Sequence, residues 1–215
     1  MAIKNGDFVE VAFTGMTKEE HVIFDTTDVA VAKQNGFFEQ SATYKPRIIC
    51  IGQSQINEGV DDALIGKEPG EETEADIPPE KGFGKKNPKL LQLVSTSIFK
   101  KEKIMPQVGL QVSIDGQMGI IKTVTGGRTI VDFNHPLSGK MLHYKIKPIR
   151  VVTGLTEKTK ALLEGFRMPP ESVSVDEEKN AAVKMKQELP NEFLEMIGKK
   201  IKELIPELKE VNFTS

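Results

Sequence analysis

The sequence predicts an α+β fold: a curved antiparallel sheet around one short helix, interrupted by an all-β unit and followed by a C-terminal α+β unit. Three observations lead there. As far as Pro88, short alternating runs outnumber a single short helical segment. Past Asn87-Pro88-Lys89, new alternating runs are punctuated by Asp115-Gly116 and Gly126-Gly127, dipeptides that close hairpins. From Thr156 onward, apolar residues recur at helical spacing beside one further hairpin.

Phe8 to Phe13 alternates, with Phe8, Glu10 and Ala12 on one side and Val9, Val11 and Phe13 on the other. His21 to Asp25 is a second strand and Arg47 to Ile51 a third, closed by Gly52; a helical turn falls within Asp28 to Gln40. Gly59 to Leu64 is a short helix stopped by Gly66, and Lys67-Glu68-Pro69-Gly70 turns the chain into a strand, Thr73 to Ile77, that Pro78-Pro79 ends. In the second unit, Leu110, Val112 and Ile114 alternate, Met118 to Val124 returns, and Thr129 to Phe133 makes another strand. Met141 to Val152 then brings the chain back to the first sheet. In the third unit, Thr156 caps a helix running to Gly165, and Ser172 to Asp176 and Ala181 to Lys186 form a hairpin. Phe193, Leu194, Ile197, Ile201, Leu204, Ile205 and Leu208 mark one apolar stripe on a helix from Asn191 to Leu208, before a last strand at Val211 to Phe213.

Composition narrows the function. With 215 residues, 38% apolar and 28% charged, the chain suits two or three small folded domains. Apolar stretches such as Ile48 to Ile51 fall far short of the roughly 20 residues a membrane span needs. Met1 to Asp7 lacks the apolar core and cleavage site of a signal peptide, so a cytoplasmic location is expected and no membrane partner. A net charge of -2 gives no basic field for nucleic acid, and the acidic run Glu68 to Asp76 and the basic runs Lys81 to Lys89 and Lys100 to Lys103 read as solvated faces. Cys50, the single cysteine, sits in an apolar strand as a small buried hydrophobe, which argues against a Cys-His enzyme built with His135. His21, His135 and His143 have no ligand spacing, so neither metal nor cofactor is expected.

Four ordered segments carry a resemblance. They are Ile23-Phe24-Asp25-Thr26-Thr27; Pro46 to Gly52 followed by Ile56 to Leu64; Pro79-Glu80-Lys81-Gly82-Phe83-Gly84; and Val131-Asp132-Phe133-Asn134-His135-Pro136-Leu137-Ser138-Gly139-Lys140. Together they resemble the FKBP-type peptidyl-prolyl cis/trans isomerases, specifically the SlyD-like and long archaeal subgroup, over about residues 5 to 152. The resemblance implies an isomerase domain of residues 1–88 plus 138–153, a chaperone domain of residues 89–137 inserted in the flap, and a C-terminal α+β domain of residues 154–215. It implies an isomerase that accelerates folding and binds unfolded chains through its insert, the alternatives being a holdase with little or no isomerase activity and an assembly factor acting through residues 154–215. Expected partners are unfolded or partly folded polypeptides containing proline and, as an option, a second copy of the chain through the C-terminal domain.

By position, the resemblance assigns catalytic roles to Asp25, Phe83 and Tyr144 and substrate binding to Phe13, Phe24, Ile56, Asn57 and Val60. Such chemistry breaks no covalent bond. An apolar pocket for the pyrrolidine ring and groups favouring the twisted amide suffice, which suits a chain poor in His and Cys. The sequence departs from the family at Val60, often tryptophan, at Phe83, usually tyrosine, at Arg47, often an aromatic wall, and at Asn57, commonly isoleucine. Both Arg47 and Asn57 alter the fit expected for macrolide inhibitors, while the backbone N–H at Asn57 survives. In the insert, Leu90, Leu91, Leu93, Val94, Ile98, Phe99, Ile104 and Met105 supply more apolar surface than so small a unit readily encloses.

Overall fold

The computed structural model of the chain describes residues 1–187 and 189–214, with the side chain of Lys100, in one of the basic runs, also outside the description. The first sheet is antiparallel. Strand β1 (Phe8–Thr17) pairs on one edge with β9 (Leu142–Val152), from Phe8 opposite Val152 to Thr17 opposite Leu142. Its other edge is shared by β2 (Ile23–Thr26) and β3 (Arg47–Cys50), and β4 (Thr73–Ile77) completes the sheet beyond β9. Helix α1 (Val29–Gln34) follows β2 and is capped by the Asp28 carboxylate, which accepts from the N–H groups of Ala30 and Val31. Helix α2 (Glu58–Leu64) is capped by Asn57, and it packs closely enough that a Cβ on Gly59 would collide with the Ile77 side chain.

Strand alternation gives this sheet two apolar faces. Val9, Val11, Phe13, Ile49, Ile51, Leu142, Tyr144 and Ile146 face α2 and close a core with Val60, Leu64 and Ile77. Phe8, Cys50 and Val152 face the other way, into a second core that belongs mainly to the C-terminal unit. That unit begins with α4 (Leu155–Gly165), followed by β10 (Pro170–Val175), β11 (Asn180–Met185), α5 (Asn191–Leu204) and β12 (Glu210–Thr214). Strands β10 and β11 are antiparallel, whereas β12 lies parallel to β11, a pairing that requires the crossover α5 supplies.

Between β4 and β9 the chain builds a separate sheet in the order β5-β8-β7-β6, from β5 (Leu91–Ser95), β6 (Gln111–Ile114), β7 (Gln117–Thr125) and β8 (Arg128–Asp132). The Asp115-Gly116 turn has both residues at positive φ (51° and 77°), as the hairpin demands. Here the all-β expectation is corrected: α3 (Thr96–Lys101) interrupts the strands. The apolar residues Val94, Ile98 and Phe99 fit a strand or a helix equally in so short a run, and α3 forms with Phe99 buried against Val94, Val112, Ile121 and Val131.

Boundaries differ from the sequence reading as well: β1 runs on past Phe13 to Thr17, β2 begins at Ile23 rather than His21, and two helix ends move. Thr156 lies inside α4, whose N-cap is Gly154 with no side-chain cap. Helix α5 ends at Leu204 rather than Leu208, because the residue before Pro206 is driven out of helical geometry and Ile205 adopts φ -126°, ψ 76°. Its stripe is covered: Ile197, Ile201, Ile205 and Leu208 are buried, leaving Phe193 and Met196 exposed at the open end. Among the described residues no helix is long and apolar enough to cross a membrane.

Candidate functional site

The eight residues singled out in the sequence come from β1, β2, the start of α2, the flap segment Pro79 to Gly84 and β9, and the fold gathers them about the first core. Phe13, Val60 and Tyr144 are buried in it, and Phe24, Ile56 and Phe83 pack against it from the open side. The rings meet edge to face, Phe24 at 5.8 Å from Tyr144 (80°) and at 5.9 Å from Phe83 (84°), while Phe13 stands tilted at 6.1 Å from Tyr144. Gly15 makes room for them. A Cβ there would lie 2.7 Å from Cε1 of Tyr144 and 3.0 Å from Cζ of Phe24.

Local chemistry explains how each group is placed. Thr27 receives the Phe13 N–H on Oγ1 at 2.9 Å and donates its own backbone N–H to the Phe13 carbonyl at 2.9 Å, so the hydroxyl residues after Phe24-Asp25 pin β2 to β1. Asn57 has two tasks. Its Oδ1 accepts the Val60 N–H at 2.9 Å, capping α2, and its Nδ2 donates to the Tyr144 hydroxyl at 3.0 Å. The Asn57 side chain is thereby fixed. Its backbone N–H has no acceptor among the described residues and remains free for a carbonyl. Burial raises the Tyr144 phenol far above its usual range, with the Asp25 charge acting in the same direction, so the group stays a neutral O–H donor at all working pH. Because that oxygen accepts from Asn57, its hydrogen is left to point elsewhere.

Two contacts escaped the sequence reading, the pairing of Arg47 with Asp25 and the stacking of His135 on Phe83. Arg47 holds Asp25 in a bidentate pair (3.1 and 2.9 Å), and its guanidinium lies 5.0 Å above the Phe13 ring. The cation therefore covers one face of the Phe13 ring. His135, considered in the sequence only as a base, stacks parallel to Phe83 at 4.7 Å and 5°, with Nδ1 accepting the Leu137 N–H at 3.2 Å. The flap is also tied to the chain returning from the insert, since Ser138 Oγ donates to the Phe83 carbonyl at 2.9 Å and Gly139 N–H to the Gly84 carbonyl at 2.8 Å. The place of His135 inside the quoted segment Val131 to Lys140 was the one available signal; the Arg47 pairing, across 22 residues, left none.

Asp61 completes the scaffold. One carboxylate oxygen accepts the N–H groups of Gly52 (2.9 Å) and Ser54 (2.8 Å), fastening the loop that carries Ile56 and Asn57 to α2. The other oxygen is buried without a partner among the described residues, and desolvation raises the carboxyl pKa against the pull of those two N–H groups. Among the described residues no three His, Cys, Asp or Glu side chains gather as a metal would require. The cluster offers apolar rings, one backbone N–H without an acceptor among the described residues and one neutral hydroxyl, groups suited to holding an amide and excluding water rather than to proton transfer.

Comparison with known proteins adds lineage to this geometry. The model of the family described as FKBP-type peptidyl-prolyl cis-trans isomerase matches residues 1–102, and that described as FKBP26, IF domain, matches residues 92–137. A short-type peptidyl-prolyl cis-trans isomerase of Methanocaldococcus jannaschii is 35% identical over 145 residues, covering 67% of this chain and 91% of that protein. The FKBP-type 16 kDa peptidyl-prolyl cis-trans isomerase of Escherichia coli (strain K12) is 31% identical over 112 residues, 50% of this chain and 74% of that one. SlyD of Haemophilus influenzae, an FKBP-type isomerase, is 25% identical over 138 residues, 62% of this chain and 72% of its own length.

Proposed function

The chain belongs to the family of FKBP-type peptidyl-prolyl cis-trans isomerases, and from that premise we propose that it rotates prolyl bonds in the cleft of Phe13, Phe24, Val60, Phe83 and Tyr144 and captures unfolded chains on residues 89–137. The convergence of those rings beside a free Asn57 N–H carries the first half of the reading. A prolyl bond must cross a barrier of about 18–20 kcal/mol in water, and its planar form is the more polar one. Apolar walls that exclude water weaken that planar form relative to the twisted amide. The Asn57 N–H holds a substrate carbonyl at the cleft mouth, and the Tyr144 hydroxyl donates to the carbonyl that turns. Asp25, held by Arg47, orients the rim.

Exposed apolar surface supports the second half. In the insert Leu93 (61%), Met105 (80%), Val108 (69%) and Met118 (57%) lie open to solvent, in contrast to Phe99 and Ile121 in its small core. Strand β5 is an edge of that sheet and carries Leu91 and Leu93, so an extended client can add to it by backbone hydrogen bonds while methionines adapt to its side chains. The domains act as one tool: 89–137 captures, and residues 1–88 plus 138–153 isomerise. The cytoplasm is the compartment that suits such clients. A homodimer through residues 154–215 would form on Phe193 and Met196, the apolar end that α5 leaves open.

The test pairs two substrates. The native chain should speed both a proline-limited refolding reaction and exchange in a short proline peptide, and a variant with residues 89–137 replaced by a short loop should keep only peptide exchange. Aggregation should go unsuppressed in that variant. Equal loss of both activities, or of neither, overturns capture and delivery; refolding help without peptide exchange in the native chain leaves a holdase.

A further inference from the structure

We propose that the cleft between β3 and α4 is a second client subsite, which takes an acidic, extended polypeptide segment flanking the proline; the inference rests on the prolyl cleft being read as above. The cleft has a volume of about 750 Å³ and runs between Thr43–Ile49 with Gln55–Ile56 on one side and α4 with the turn to Pro169 on the other. Its size is that of established ligand sites.

Position comes first. Arg47 and Ile56 line this cleft, and the same two residues border the prolyl cleft, Arg47 over the Phe13 ring and Ile56 against the core of Phe13, Val60 and Tyr144. The two places therefore share a border at Arg47 and Ile56. Backbone comes second. Consecutive residues from Lys45 to Ile49 face the cleft, although their side chains alternate between the two cores, so the lining is the open edge of β3. Among the described residues that strand pairs only with β1. The Cys50 N–H points outward and is taken by Gln55 Oε1 at 2.6 Å, and the two-residue period puts the Ile48 N–H and carbonyl on the same outward edge. An extended segment can pair there.

Charge selects the segment. Arg150 neutralises Glu10 (2.6 Å) and Glu157 (2.7 Å), and Arg47 is committed to Asp25. Among the described residues, Lys45, Lys160 and Arg167 line the cleft outside any ion pair, against one carboxylate in that condition, Glu164. Arg167 is held at φ 60° by the turn that ends α4, a conformation disfavoured for a side chain of its kind. Three cations facing an open strand edge fit an acidic client strand.

The experiment measures exchange by the full chain in an Ala-Leu-Pro-Phe tetrapeptide, alone and extended at either end by four glutamates or four glutamines. The expected result is a KM for the glutamate peptide roughly threefold to tenfold below that of the glutamine peptide at low ionic strength. The gap should shrink as salt rises. Lys160→Glu with Arg167→Glu should abolish the preference while leaving the bare tetrapeptide unchanged. Equal KM for both tails in the native chain, or a preference that survives the double substitution, overturns the subsite. If the native chain fails on the bare tetrapeptide, the prolyl reading itself falls, and the subsite with it.

Discussion

Tyr144 carries the most demanding position of any single residue in the cleft, because it is a core ring and a polar donor at once. It is 1% exposed and touches both Phe13 and Phe24, yet its hydroxyl is the acceptor for Asn57 Nδ2. The two contributions are separable. Tyr144→Phe keeps the ring and strands the buried Nδ2, which costs about 1–3 kcal/mol of stability for an unsatisfied group. Tyr144→Leu also removes the edge-to-face contacts. We expect the first variant to lower prolyl exchange severalfold with a modest fall in urea midpoint, and the second to lower both further. Native activity in each would remove Tyr144 from the site. At this scale the sequence was legible in residue type and blind to partnership: Phe13, Phe24 and Tyr144 stand in alternating strands whose inward side is fixed by period. The Asp25–Arg47 pair depends instead on β2 and β3 lying side by side on one edge of β1, which no local pattern encodes.

Most strands announced themselves by alternation, and β4 runs over the residues expected, Thr73–Ile77, whereas β5 lies in a run read only as apolar surface. Helix α3 did not, since six residues make less than two turns and too few apolar positions to show a period. The junction of α2 with the loop before it was equally hidden, because it rests on one carboxylate reaching back to Gly52 and Ser54. That junction titrates. Burial raises the pKa of Asp61, so the folded state binds its proton more tightly than the unfolded chain does, and the group favours folding most at low pH. As pH rises from the ordinary carboxylate value of 3.8 through the raised one, that contribution is lost. Asp61→Asn keeps an oxygen for the two N–H groups and cannot ionise. Its stability relative to the native chain should therefore improve as pH rises through this window, read as the difference in urea midpoints between acid and neutral pH. Parallel profiles for the two proteins would show that the carboxyl does not titrate with folding.

On the scale of the whole molecule, the first sheet is a shared wall rather than the back of an isolated domain. Phe8, Cys50 and Val152 point away from α2 and are buried with Leu162, Leu163, Ile201 and Ile205 of the C-terminal unit. Lys158 reaches over the Phe8 ring at 5.6 Å from α4, and Arg150 of β9 ties Glu157 of the same helix. Sequence alternation had already set Phe8 on the face opposite Phe13; what it could not say is what would cover that face. Removing residues 154–215 would return all three side chains to water. At about 1.5–3 kcal/mol for each large apolar side chain, the loss is several kcal/mol. That is a large share of the roughly 5–15 kcal/mol that holds a typical domain folded. The fragment 1–153 should thus unfold at a markedly lower urea concentration than the full chain and associate through the bared face, whereas the full chain should unfold both units together. Replacing Phe8 and Val152 with threonine in the fragment should suppress that association without restoring the midpoint. A fragment as stable as the full chain, and monomeric, would mean that the two units merely touch, and that α4 is free to move as the wall of the client subsite.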